Sequence, residues 1–238
     1  MKTLAAVVTM PGREGLVGRV LESLRPQVDK LCVYLNGFSE CPAELRGLVD
    51  DFQCDPSNRA GDTGNLFWSD KHDGLYFSCD DDLIYHKDYV QILRMWIDKF
   101  HGRVITTIHG IQFQPRALTW DQEGWRRHMT WKNPYLRPIW LHQPGSGVMG
   151  FHTDLKIPSQ WPEKDNADLF LAIWAQENQV PVLGIPHGGW EVQDILPKDA
   201  WSLFKESKKT DHKRRDELVR SVYPWRTFRY TNGISQKE

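Results

Sequence analysis

The chain is poor in several things that would make it easy to place. It has only four cysteines in 238 residues, Cys32, Cys41, Cys54 and Cys79. None are in C-x-x-C spacing, so free thiols are expected rather than a disulfide frame or a zinc site. It lacks an excess of either charge, with 30 Lys and Arg against 31 Asp and Glu. No whole-molecule field therefore draws it to nucleic acid or an anionic membrane, and any such affinity must be local. Long hydrophobic runs are missing too. Leu4 to Val8 is far shorter than the roughly 18 residues of a spanning helix or the 7–15 of a signal peptide core, so a cytoplasmic protein is expected. Internal repeats, low-complexity tracts and Gly/Ser linkers are absent, which favours one domain. What is abundant is tryptophan, 11 residues of it. Flat aromatic faces suit stacking on sugars or bases, although they also fill cores.

The first half alternates between strand and helix periods. Leu4 to Thr9 reads as a strand, and after Pro11-Gly12 the residues Leu16, Val17, Val20, Leu21 and Leu24 recur on one helical face. Leu31 to Leu35 is a second strand closed by Asn36-Gly37, a short helix follows Pro42, and Phe52 and Cys54 open a third strand. Gly74 to Cys79 is a fourth, then an amphipathic helix from Tyr89 to Phe100 and a fifth strand at Val104 to Ile108. Such repeats predict an α/β fold, a mostly parallel sheet with helices on both faces. Ile111 to His142 shows no clean period and is expected to be a long loop region over the sheet edge. Beyond it, Gly147 to Phe151 and Val180 to Ile185 read as strands, the latter as the last, and Ala167 to Gln176 as a helix. The segment from Lys205 to Arg229 carries nine basic residues against four acidic ones. Residues 1–200 are expected to form the main domain, with 201–238 a basic helix and tail packed on it.

The most reactive-looking feature is Asp80-Asp81-Asp82, expected at the carboxyl end of the fourth strand, where open α/β sheets bind ligands. Adjacent carboxylates repel one another unless a cation or hydrogen-bond donors compensate, and a hard divalent ion such as Mg²⁺ or Mn²⁺ would do so. On an extended segment alternate side chains share a face, which groups Asp80 with Asp82 and turns Asp81 elsewhere. A solvated turn or helix cap is the competing reading of the triplet.

The runs "VVTMPGREGLVGRVLESLRPQVDKLCVYLNGF", "GDTGN" and "GLYFSCDDDLIYHKDYV", followed by "TIHG", "PGSGVMGFH" and "NADLFLAIWAQ", resemble in their order the family 2 glycosyltransferases of GT-A fold. The resemblance spans about residues 3 to 195 and covers small enzymes of bacterial surface-polysaccharide loci and phages. It implies a single GT-A-like domain that transfers a sugar from a nucleoside diphosphate donor, a UDP-sugar, to a hydroxyl acceptor with inversion. The triplet corresponds to the family's DXD motif, with Asp80 and Asp82 on Mn²⁺ or Mg²⁺ and Asp81 beside the donor. Thr9, Pro11 and Arg13 match the loop that encloses the base, and Asn36 the end of the second strand. Asp62, Gly64 and Asn65 match the segment beside base, ribose and sugar. Gly and Asn also suit plain turns, above all at Asn36-Gly37. Many members have a longer Gly/Ala/Asn-rich stretch before the DXD strand than this chain does.

By the same resemblance "KDNADLF" holds the general base, Asp168 first and Asp165 as the alternate, though either could merely cap the helix that follows. His109, His152 and His187 compete to contact pyrophosphate or complete the metal shell. His109 is assigned to the donor and His187 to the metal, where the family often uses a late histidine. Trp190, and Trp120, Trp125, Trp131 and Trp140, could form an acceptor platform. A glycan or glycolipid is the expected acceptor, with hydroxymethylated DNA bases as the alternative. The basic segment would then meet phospholipid head groups or DNA phosphates, or simply be a solvated helix face. Two other classes compete: a nucleotidyltransferase, for which the Gly-rich loop after the first strand is missing, and a carbohydrate- or nucleic-acid-binding module without catalysis.

Overall fold

The computed structural model describes residues 1–120, 124, 126–197, 212–231 and 234–237. Fifteen strands are named in chain order. They are β1 Thr3–Thr9, β2 Lys30–Asn36, β3 Asp51–Asp55, β4 Leu75–Cys79, β5 Leu83–Tyr85, β6 Ile105–Thr107, β7 Gly110–Phe113 and β8 Arg126–Met129. Then come β9 Ile139–Leu141, β10 Gln143–Pro144, β11 Val148–His152, β12 Val182–Gly184, β13 Val192–Asp194, β14 Phe228–Thr231 and β15 Ile234–Lys237. The helices are α1 Glu14–Leu24, α2 Ala43–Arg46, α3 Tyr89–Lys99, α4 Ala167–Glu177 and α5 His212–Ser221.

An eight-stranded sheet in the order β3-β2-β1-β4-β11-β6-β12-β9 forms the centre. Six strands run one way, and β11 and β9 run against them. The expected α/β class is therefore found. Residues such as Leu4, Ala5, Ala6 and Val7 in β1 are all buried, as continuous apolar runs must be when both faces are covered. On one face Val17, Val20, Leu21 and Leu24 of α1 and Leu93 and Ile97 of α3 pack against Ala5, Val7, Leu31 and Val33. On the other, Leu171 and Ala175 of α4 meet Leu4, Ala6, Cys32 and Tyr76. A third cluster joins Leu169 and Phe170 of α4, Ile111 and Phe113 of β7, and Leu218 and Val219 of α5 with Trp225.

Two expectations need correction. The segment from Ile111 to His142 is not a structureless loop, since it contains β8, β9 and most of β7. Each is only three or four residues long, too short to set up a readable period, and each owes its existence to pairing: β7 with β8 and β10, and β9 with β12. Nor is Val180 to Ile185 the last strand. β13 follows and pairs with β5, just beyond the Asp triplet. Of the basic helix and tail expected over 201–238, residues 212–231 and 234–237 are described, and the helix among them is His212–Ser221, α5. All four cysteines are free, three of them buried. Among the described residues no helix is long and apolar enough to cross a membrane.

The path of the chain locates the site. From β1 it moves through α1 to β2 and β3 on one side, and then returns to β4 on the other side of β1. The loops after β1 and β4 thus diverge at their carboxyl ends and leave a crevice, the switch point where open α/β sheets bind ligands.

Candidate active site

A cavity of about 810 Å³ opens at this switch point, within the roughly 300–1,000 Å³ usual for small-molecule sites. Its wall brings together Thr9 at the end of β1, Arg13 from the loop that follows, Asn36 from β2, Asp62, the triplet Asp80–Asp82, His109, and Asp165 and Asp168 at the start of α4. Residues singled out far apart in the sequence, from Thr9 to Asp168, therefore share one surface.

The triplet turns the chain from β4 into β5. The Asp80 N–H donates to the Tyr85 hydroxyl at 2.7 Å, and that hydroxyl donates to the Gly147 carbonyl at 2.6 Å. The three carboxylates then meet different fates. Asp81 accepts hydrogen bonds from the Thr9 hydroxyl at 2.7 Å and from Arg13 Nη1 at 2.5 Å, so it is structurally spent. Arg13 stands at the head of α1, whose free N–H groups a donor-only guanidinium cannot cap, and its side chain reaches across to Asp81 instead. Asp82 lies 3.7 Å from the same guanidinium. Asp80 makes no ion pair or side-chain hydrogen bond among the described residues. Burial, then the negative charges of Asp82, Asp168, Asp81 and Asp62, push its carboxyl well above the usual range. Asp82 is pushed up to about 6 by burial and by Asp81, against the pull of Arg13.

Asp168 points from the first turn of α4 into the same space and accepts the Ser146 N–H at 2.6 Å. Burial raises its pKa, while hydrogen bonds from Ser146 and the charge of Arg215 oppose that rise. It does not cap its own helix. That task falls to Asp62, whose two carboxylate oxygens accept the Ala167 N–H at 3.2 and 3.1 Å from 105 residues away. Burial and the nearby Asp168 and Asp165 raise Asp62 to about 8. Asp165 and Asn166, just before α4, both have left-handed backbones, with φ of 64° and 67°. Gly61 admits this turn, since a β-carbon there would stand 2.3 Å from Asp165 Oδ1. The Asn36 side chain donates to the Gly61 carbonyl at 2.6 Å, so it braces the turn as well as lining the cavity.

Other sequence candidates stand back from the wall. Pro11 is exposed and closes over Gly37. Gly64 lies under the Tyr34 ring, and Asn65 is fully buried, reaching the Ser146 carbonyl at 3.4 Å. His187 packs edge-on against Tyr135 with its ring centre 4.3 Å away, and among the described residues neither ring nitrogen has a hydrogen-bond partner. His109 does line the cavity. Its Nε2 lies 3.0 Å from Nε2 of His128, and burial and the neighbouring His187 lower it to about 4. His152 instead accepts the Asp154 N–H in a local turn. Of the tryptophans, Trp120 and Trp131 face the cavity. Trp140 packs on the core, and Trp190, exposed, stands edge-on to His86. Trp125 lies outside the described residues.

Several wall residues went unnoticed in the sequence: Asn58, His128, Lys132, Gln143, Ser146, Asn166 and Arg215. Arg215 belongs to the basic segment, where it looked like one more surface charge. Its Nε donates to Asn166 Oδ1 at 2.7 Å, and its guanidinium lies 4.4 Å over the Trp120 ring. Arg214 is likewise paired, with Glu163 and Glu217. Both are thus engaged inside the molecule.

Hard-cation chemistry suits the donor set, for all three aspartates line the cavity and Asp80 has no other partner among the described residues. Within those residues no group of three or more His, Cys, Asp or Glu is arranged to hold a metal by itself. Any such ion would have to draw its remaining ligands from substrate and water, as Mg²⁺ commonly does.

The chain is similar to solved structures that include two transferases. One is the mannose-1-phosphate geranyltransferase of Thermus thermophilus, with 15% identity and a TM-score of 0.39 over 75% of this chain and 63% of that one. The chain thus spans less than two thirds of the Thermus protein. The other is the galactosyltransferase LgtC in complex with donor and acceptor sugar analogs, with 10% identity and a TM-score of 0.43 over 92% of this chain and 95% of that one. No family model matches the sequence, and no curated protein does. Scores this low carry no argument, so the fold class rests on the sheet itself and the site on its own geometry.

Proposed function

We propose that this protein is a metal-dependent glycosyltransferase that moves a sugar from a nucleoside diphosphate donor, UDP being the nucleotide expected, to a hydroxyl of a glycan or glycolipid. One observation carries the reading. Asp80, without a side-chain partner among the described residues, and Asp82 stand on the same cavity as Asp168, a carboxylate anchored by the Ser146 N–H, and so two unlike carboxylate environments face one ligand-sized space. Asp80 and Asp82 would hold Mn²⁺ or Mg²⁺, which would neutralise the diphosphate as it leaves. Arg13 and Thr9, by gripping Asp81, keep the triplet turned so that its neighbours face inwards. Asp168 takes the proton of the attacking hydroxyl, and burial makes it the stronger base. Direct displacement on the sugar then inverts its configuration. Trp131 offers an aromatic face to the acceptor ring, whereas the Trp120 ring is already stacked by the Arg126 and Arg215 guanidinium groups.

The alternative acceptor, a modified DNA base, draws its support from the basic segment. Arg214 and Arg215 are engaged with Glu163, Asn166 and Trp120, which leaves that reading weaker than the glycan one. The test is calorimetry of UDP and a panel of nucleotide sugars with and without Mn²⁺. Saturable binding that EDTA removes is expected. Absence of binding across the panel would sink the proposal.

A further inference from the structure

Three consecutive residues of α5 grip three separate parts of the site. Arg214 pairs with Glu163, Arg215 donates to Asn166 Oδ1 at 2.7 Å, and the Asp216 carboxylate accepts the Trp120 N–H at 2.7 Å. Glu163 and Asn166 bracket the turn that leads into α4, and that turn is unusual. Asp165 and Asn166 are consecutive left-handed residues, a conformation uncommon for residues other than glycine and most accessible to Asp and Asn. Asn166 makes no capping bond to α4 through its side chain. Its backbone carbonyl, however, accepts the N–H groups of Leu169 and Phe170 and so sets the first turn on which Asp168 rides. The Asn166 side-chain oxygen accepts the hydrogen bond from Arg215. The guanidinium is itself fixed from the other side by the Trp120 ring, whose indole N–H reaches Gln143 at 3.4 Å.

We infer that Arg215 is a positioning residue: through Asn166 it holds the left-handed turn that aims Asp168 into the cavity, so that α5 is a working part of the site and not a basic surface appendage. The planar guanidinium suits this place, because it can donate a hydrogen bond in its own plane while stacking on an aromatic face. A lysine, a point charge on a flexible stem, would supply the charge without the fixed geometry. The inference rests on Asp168 being the base, and its test has a readout that does not depend on that role.

The experiment compares Arg215→Gln, Arg215→Lys, Asn166→Gly and the double variant Arg215→Gln with Asn166→Gly, with Lys213→Gln on the exposed side of α5 as control. Turnover is followed as UDP release in Mn²⁺ from the nucleotide sugar that binds best. Arg215→Gln should lower kcat about tenfold or more, with the dissociation constant for UDP and Mn²⁺ within about twofold of wild type. Arg215→Lys should recover little of the loss. Asn166→Gly keeps the left-handed backbone and removes only the side chain, and the double variant should be no worse than the poorer single one, as for two groups acting through one contact. Hydrogen exchange of the metal-free protein supplies the independent measurement. Faster exchange confined to the start of α4 is expected in Arg215→Gln and not in Lys213→Gln. Additive losses, full recovery by Arg215→Lys, or unchanged exchange at α4 would overturn the inference. If wild type releases no UDP from any donor, the transferase reading fails, and the exchange result alone decides whether Arg215 orders the turn.

Discussion

A β-carbon on Gly147 would stand 1.9 Å from the carboxyl carbon of Asp80. The backbone at Gly147 is not left-handed, so space alone demands glycine there. Two distant chain segments are thereby pressed together at the point where β4 and β11 pair, and the carboxylate is driven toward the cavity. Gly147→Ala should displace Asp80 and abolish Mn²⁺-dependent UDP binding, at an overpacking cost of about 1–3 kcal/mol. Gly12→Ala serves as contrast. There a β-carbon meets nothing within 4 Å but φ is +88°, so stability should fall while UDP binding in the folded fraction persists. Calorimetry beside chemical denaturation separates the two. Wild-type binding by Gly147→Ala would show that Asp80 is not the ligand.

The three aspartates should respond differently to the same isosteric change. Asp82→Asn removes a charge from a crowded carboxylate cluster. It should stabilise the metal-free protein by about 1 kcal/mol while weakening UDP–Mn²⁺ binding at least tenfold, the usual opposition between stability and function at a charged site. Asp81→Asn should instead lower stability, because Arg13 and Thr9 lose their anchor. Melting temperatures without metal, set against calorimetry with it, check both signs. If Asp81 and Asp82 behave alike, the division of labour within the triplet is wrong.

For the base, Asp168→Asn should lower kcat by a factor of about 10²–10⁴ and leave UDP–Mn²⁺ affinity near wild type. Asp165→Asn should cost much less. Should Asp165→Asn alone carry the large kcat loss, the base moves three residues along the turn; should neither, direct displacement with a carboxylate base fails. Steady-state kinetics with separate measurement of donor affinity makes the distinction.

His142 gives a pH dependence of stability. It is buried, with Nδ1 accepting the Phe113 N–H at 2.8 Å and Nε2 3.1 Å from the Thr227 hydroxyl, and burial lowers its pKa to about 4. Between pH 4 and about 6.5 the unfolded chain therefore binds a proton at this histidine that the folded protein refuses, and stability rises with pH. The contribution is complete above about pH 6.5 and lost as pH falls toward 4, at most about 3 kcal/mol in all. His142→Asn keeps an acceptor for Phe113 and removes the titration. Urea denaturation at several pH values should show a shallower acid loss in the variant than in wild type. Parallel profiles would rule His142 out as the source.

Much of this protein was legible residue by residue. The apolar runs of β1, β2 and β4, the helical faces of α1, α3 and α4, and three carboxylates at the end of a strand are local patterns, and backbone geometry converts them directly into strands, helices and a switch-point loop. The grouping of Asp80, Asp82 and Asp168 in one chemistry came from the order of segments. Tertiary structure decided how those residues differ. Asp81 became an anchor because folding brings the guanidinium of Arg13, 68 positions away, onto its carboxylate. Asp62, read as a donor contact, also caps α4 across 105 positions. β8 and β9 are too short to carry a period and exist only because partner strands accept their hydrogen bonds. Arg215, one basic residue among nine in its segment, turns inward because Trp120 and Asn166 offer it a flat face and an acceptor. Periodicity is a property of neighbours along the chain, whereas ion pairs, caps and stacked rings are made between segments that meet only after the sheet has formed.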